Sequence, residues 1–208
     1  NNFEKRQDFF ECSTHRKNDE KCKSHYIRAV VLEDMVWMHM ETVISYILHY
    51  EDHFRAVVQE QLKIESDEKI QAWRKQLTQA EKRIAELGRL FVKIYEDNAK
   101  GKLSDERFSM MSGNYEAEQK KLRMDAVELQ KNIEEQERQN ERLEKFIQKA
   151  KHYQDLNSLT PDALRDMVSA IYVGAPDKSS GKRQQKIEIY YDGAGFIPLN
   201  LLMQRETA

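Results

Sequence analysis

The sequence predicts a mostly α protein: a long helix plus an antiparallel coiled-coil hairpin, with a small β element built from an N-terminal ribbon and C-terminal strands. Composition is the first reason. Of 208 residues only 39% are hydrophobic while 34% are charged, with 3 Pro and 7 Gly, a mixture that suits solvated helices burying a narrow seam rather than a thick core. Periodicity is the second, because apolar residues recur at alternating spacings of three and four along most of residues 36–150. The third is that β-branched and aromatic runs are confined to the two ends of the chain.

Residues 1–28 read as half of a zinc ribbon. The stretch "FFECSTHRKNDEKCKSHYIR" holds Cys12 and Cys22, the only cysteines, with the short strand "DFFEC" entering the first and "HYIRAVVLE" leaving the second toward a helix. Structural zinc usually takes four Cys or His ligands, delivered as two close pairs, and here one pair is present. A complete site from this chain alone would have to recruit His15 or His25. His15 sits in a hydrophilic loop that fixes no geometry, so the candidate metal ligands are Cys12 and Cys22, a half site. The competing reading is two reduced cysteines in a small apolar cluster.

Residues 29–65 form the long connecting helix. Val36, Met40, Val43, Ile47, Tyr50, Phe54 and Val57 make one stripe, thickened by Met35, Ile44, Leu48 and Val58, so this helix packs against more than one neighbour. The polar step "ESDEK" shifts the register and starts a new helix. Residues 66–152 then form the hairpin arm. Its first helix carries Ile70, Trp73, Leu77, Ala80, Ile84, Leu87, Phe91 and Ile94 without a miss in the alternation. Its second carries Phe108, Met111, Tyr115, Leu122, Ala126, Leu129, Ile133, Gln136, Asn140, Leu143, Ile147 and Ala150. Gln136 and Asn140 are polar seam residues of the kind that fix register at a cost in stability.

The tip lies near 96–105, where Gly101 can end a helix in the left-handed conformation, Ser104 is an N-cap, and Asp105 and Glu106 favour the positive end of the next helix. So short a linker returns the helices antiparallel, giving an arm reaching about 45 Å from its base. Residues 153–208 supply a short helix and β-strands that pack back at that base. Thr160 caps the helix with Pro161 at its first position, and residues 170–174 and "KIEIYY" at 186–191 are strands separated by "GAPDKSSGKRQQ".

The net charge of −2 hides an uneven distribution: residues 1–28 carry seven Lys/Arg against five Asp/Glu, 29–68 two against nine, and 69–95 seven against two. Lys5, Arg6, Arg16, Lys17, Lys21, Lys23 and Arg28 cluster around the cysteines, while Lys178, Lys182, Arg183 and Lys186 line the loop expected to fold back beside them. Together they make a candidate phosphate-binding surface for double-stranded DNA, against which stands ordinary solvation. The basic helix 69–95 has a plainer explanation, pairing with Glu116, Glu118, Glu128, Glu134 and Glu135 across the hairpin. At the tip, Phe91, Ile94, Tyr95, Leu103, Phe108 and Met111 concentrate bulky apolar groups: most staple the turn, and any left exposed form a docking patch.

The chain contains no Gly-rich phosphate loop, HExxH or nucleophile elbow, Ser13 and Ser24 stand beside histidines without forming a triad, and the fragment is read as having no catalytic residues. No apolar run approaches the length of a membrane span, and two cysteines do not make a secreted disulfide framework. The expected setting is cytoplasmic, with neither a membrane nor a small-molecule substrate as partner. The opening "NNFEKRQDFF" has no signal-peptide profile and no initiator Met, as expected of a piece of something longer.

The order of parts resembles the C-terminal half of a large serine recombinase of the transposon resolvase/integrase type. The resemblance rests on the "FxC…C…HYIR" ribbon end, the tip "LFVKIYEDNAKGKLSDERFSMMSGNYEAEQKKL", "LTPDALRDMVSAIYV" and "QKIEIYYDGAGFI". It implies that Cys12 and Cys22 match the second cysteine pair of a ribbon whose first pair lies upstream, with zinc bound in the full-length protein and incompletely ligated here. It further implies basic residues on the DNA at recombination sites, a bacterial, nucleoid-associated location, and self-association through the coiled-coil arm that controls which sites synapse. The full-length protein it resembles is a site-specific DNA recombinase of a mobile element. The alternative is a freestanding coiled-coil adaptor that does not bind DNA.

Overall fold

The structure is a computed structural model that describes residues 7–17, 20, 22, 25–177, 179 and 184–203. In chain order it contains β1 (Phe9–Glu11), α1 (Ser13–Lys17), β2 (Tyr26–Arg28), α2 (Ala29–Leu62), α3 (Asp67–Ala99), α4 (Asp105–His152), α5 (Pro161–Met167), β3 (Val168–Val173), β4 (Ile187–Tyr191), β5 (Gly195–Phe196) and α6 (Leu199–Met203). The fold is mostly α with small antiparallel sheets, as the periodicity requires. None of the described helices is long and apolar enough to cross a membrane. Two compact units result, Asn1–Lys63 with Asn140–Ala208, and Ile64–Gln139.

In the first unit, β1 and β2 pair antiparallel with Phe9 opposite Arg28, Phe10 opposite Ile27 and Glu11 opposite Tyr26. α2 follows directly. Val36, Met40, Val43, Ile44, Ile47, Phe54 and Val58 are its buried face, so the seam follows the expected residues except at Met35, Leu48 and Tyr50, which are exposed, and Val57, which is half-buried. At Tyr50 the backbone leaves helical values (φ −141°, ψ 46°), the ring turns outward, and beyond it Phe54 and Val58 are buried while Val57 is only half-buried. A kink rotates the following turns, and a period count that assumes one straight helix cannot register it.

Leu143, Phe146, Ile147 and Ala150 from the last turns of α4 join this core. Phe146 lies between Phe54 and Tyr191, at ring distances of 6.1 and 5.2 Å. Arg55 clasps Glu144 of α4 while bonding Glu51 and Asp52 on its own helix, and Lys151 reaches Glu51 at 2.6 Å. The Lys151 ammonium, then Arg55, holds the Glu51 carboxyl below its ordinary range. Farther along, the Thr160 hydroxyl accepts the Ala163 amide at 3.2 Å, with Pro161 opening α5 as predicted.

β3, β4 and β5 form an antiparallel sheet in that order. The turn between β4 and β5 lies so close to α4 that a Cβ on Gly193 would stand 2.4 Å from the Arg142 carbonyl oxygen. Its φ of +85° also favours glycine. His39 ties α2 to this sheet: the Tyr191 hydroxyl donates to its Nδ1 at 2.8 Å and its Nε2–H donates to the Ile197 carbonyl at 3.1 Å. This pairing fits the neutral ring, and burial lowers the His39 pKa.

The second unit is an antiparallel hairpin of α3 and the first two-thirds of α4. Its polar contacts shorten in sequence separation toward the turn, as an antiparallel pair demands: the ion pair of Arg74 with Glu137, then that of Arg83 with Glu118 at 2.8 Å, then the Asn98 amide donating a hydrogen bond to Asp105 at 2.8 Å. Ile70, Ala80, Leu87, Ile94 and Ile133 are buried along the seam. Gln136, expected to fix register, accepts the Glu65 backbone amide at 2.8 Å, an otherwise unpaired donor before α3. Asn140, in the first unit, accepts from the Gln59 side chain at 3.1 Å.

Candidate metal centre and basic face

Continuing the β1–β2 register by one step sets Cys12 opposite His25, and the Cys12 amide donates to the His25 carbonyl at 3.0 Å. The loop between the strands brings Cys22 to the same place. Its thiol lies 3.7 Å from that of Cys12, and the ligand atoms of Cys12, Cys22 and His25 all lie within 4.8 Å of one another. A tetrahedral ion with metal–sulfur bonds of about 2.3 Å holds two sulfurs about 3.8 Å apart, so the thiol spacing fits a shared zinc ion. His25 therefore joins Cys12 and Cys22, where the spacing of the cysteines alone yields only a half site.

The usable signal was the closeness of Cys22 and His25, a Cys and a His separated by two residues as in the close ligand pairs of structural zinc sites. His15 has a different task. Its Nδ1–H donates to the Cys22 carbonyl at 2.7 Å, pinning the loop so that the thiol faces its partners. The His15 backbone amide and then the Cys22 thiol stabilise the Cys12 thiolate, lowering its pKa, while donation to Cys12 holds the Cys22 proton in place and raises its pKa. Cys12 is thus the first of the pair to offer a thiolate, the form that binds metal.

Of the basic residues singled out for DNA, Arg16, Lys17, Arg28 and Lys186 are described and exposed. Lys5, Arg6, Lys21, Lys23, Lys178, Lys182 and Arg183 lie outside the described residues. Arg16 and Lys17 occupy the last turn of α1, immediately beside the metal-ligand cluster. Arg28 lines a groove of about 350 Å³ with Tyr26, Ile27, Val31, Met35, Gln185 and Ile187. That groove joins the ribbon to the start of β4, where Lys186 pairs with Glu188 at 2.5 Å.

At the tip of the hairpin the apolar residues divide. Ile94 is buried, and Phe108 packs against Phe91 and Tyr95 at ring distances of 6.3 and 6.4 Å. Leu103 and Met111 are half-buried, and the Leu103 carbonyl accepts from Asn98. Tyr95 stays 60% exposed, and Val92 and Met110, two apolar residues outside the expected tip cluster, are exposed too.

Two domain families match the chain. Residues 132–197 match the family described as Domain of unknown function (DUF4368), a span covering the end of α4, α5 and the β3–β4–β5 sheet. No curated protein and no solved structure matches the chain. Residues 1–41 match the recombinase zinc beta ribbon domain, a span that contains Cys12, Cys22 and His25 and ends inside α2, and this module relates the chain to the recombinases.

Proposed function

We propose that this chain is the DNA-binding, synapsis-regulating C-terminal region of a site-specific serine recombinase of a mobile element. The observation that carries the reading is the coincidence of the recombinase zinc beta ribbon match with three convergent ligands, Cys12, Cys22 and His25. Zinc bound there would act structurally, cross-linking the loop to both strands. Arg16 and Lys17 beside it, with Arg28 and the loop leading to Lys186, would contact phosphates, because Lys and Arg that neutralise phosphates release counterions and draw affinity from that release. The hairpin would act through its tip, where Tyr95 and its neighbours meet the tip of a second subunit. Such contact stabilises only assemblies whose DNA-bound subunits turn their hairpins toward each other.

A gel-shift titration against the end sequences of the parent element tests this, run at several salt concentrations. The expected result is binding whose log affinity falls linearly with log salt, at a slope near −0.9 per phosphate neutralised. Replacing Arg16 and Lys17 together with Ala should weaken binding on every sequence and shallow that slope by about two. Replacing Lys182 and Arg183 should act in the same direction. Absence of binding at low salt would leave the chain a coiled-coil adaptor and defeat the proposal.

A further inference from the structure

α4 carries a second apolar stripe, on the side turned away from α3. Met110, Gly113, Ala117, Met124 and Val127 are all exposed, with Met110, Met124 and Val127 at 61%, 65% and 71%. At about 100° per residue they fall within an arc of about 100° on the helix surface, near the edge of which Lys120 also stands. The seam with α3 uses other residues, Tyr115, Leu122, Ala126, Leu129 and Ile133, none of them exposed. A Cβ added at Gly113 would meet nothing within 4 Å, so this glycine opens a notch in the stripe although glycine in a helix interior costs about 1 kcal/mol relative to alanine.

The charges around the stripe say what covers it. Glu106, Arg107, Glu116, Lys120, Lys121, Arg123, Asp125, Glu128 and Lys131 are exposed and make no ion pair among the described residues; all but Lys121 and Asp125 enter the charge matching. Consider a second copy of α4 laid antiparallel about a two-fold axis between Glu118 and Gln119. Met110 then meets Val127, and Met124 meets the notch at Gly113. Glu106 faces Lys131. On one flank Glu116 stands between Lys120 and Arg123, and on the other Glu128 faces Arg107. In an antiparallel pair each flank meets the same flank of its partner, so every one of these contacts occurs twice with opposite charges. An isologous contact needs such self-complementarity.

We infer that the outer face of α4 is a homotypic docking surface that pairs two copies of this chain antiparallel, in the register set by the two-fold between Glu118 and Gln119. The inference rests on the reading of the hairpin as a self-associating element, and it assigns the contact between free chains to the flank of α4, the tip at Tyr95 meeting its counterpart only between DNA-bound subunits. The stripe spans about 26 Å, a short seam that places the contact among weak, reversible interfaces.

Sedimentation equilibrium of the 208-residue chain tests it, with circular dichroism to verify that each variant keeps its helicity. The wild type should self-associate reversibly. Met124→Glu should abolish association, and both Glu116→Arg and the pair Lys120→Glu/Arg123→Glu should weaken it by about tenfold by setting like charges opposite each other. The combination of all three substitutions should restore it, which only this register predicts. Tyr95→Glu should leave the dissociation constant unchanged. Association lost with Tyr95→Glu but kept with Met124→Glu would overturn the α4 register while sparing the tip. Failure of the triple variant to recover would overturn the register, and a wild type that stays monomeric at every concentration would remove both.

Discussion

At the scale of single residues, His25 is the side chain that changes the chemistry. With Cys12 and Cys22 it makes a three-ligand set whose thiols already stand at the spacing zinc requires. Sharing the roughly 10–16 kcal/mol of a structural zinc site among four ligands leaves about 3 kcal/mol each. His25→Ala should therefore weaken zinc binding about a hundredfold, measured by competition with a chromogenic chelator. His15→Ala removes a hydrogen bond to the Cys22 carbonyl and no ligand, so its effect should be smaller, about tenfold. Equal affinity in wild type and His25→Ala would return the site to two cysteines. The sequence carried this ligand in C-x-x-H form, but the choice between His15 and His25 needed the strand register, because only pairing across β1 and β2 puts residue 25 beside residue 12.

At the scale of elements, caps and seams were legible where the cause is local. Thr160 and Pro161 start α5, Gly101 takes φ +71° at the turn, and the three/four alternation runs through α3, because each follows from a few neighbouring residues. The kink at Tyr50 was not legible, nor were the brief β5 and α6, whose existence depends on what they pack against. Gly193 belongs with these: its glycine is required by the Arg142 carbonyl on a helix some fifty residues earlier. Gly193→Ala adds both a left-handed backbone penalty and a backbone clash. It should cost about 2 kcal/mol or more, read as a lowered urea midpoint of the first unit. An unchanged midpoint would mean that the turn can withdraw from α4.

At the scale of the whole molecule, acid reaches the first unit through a group, His39, that titrates before the depressed carboxyls Glu51 and Glu118 of the two units. In the first, burial depresses the His39 pKa. The unfolded chain therefore binds the proton more readily, and stability present above the ordinary histidine value near 6.5 is lost as pH falls through the folded value. In the hairpin, the Arg83 guanidinium depresses the Glu118 carboxyl, so that contribution holds above the ordinary carboxylate range and is lost only as pH falls below it. Acid titration followed by near-ultraviolet and helical signals should show the first unit weakening before the hairpin, with His39→Gln removing the earlier step. A single step unaffected by that substitution would refute the assignment. That the chain is long helices with small sheets was plain from its composition and period. Its division into two units was not, since one uninterrupted helix, α4, supplies residues to both.

The cross-strand facing of Cys12 and His25 gives the ribbon an error check. Sliding β1 past β2 by a single position would offer the cation Ser24 or Tyr26 in place of the imidazole, and capture would fail. Metal uptake and correct alignment are then one event, and an oxidant that consumes the Cys12 sulfur would erase the alignment signal together with the ligand.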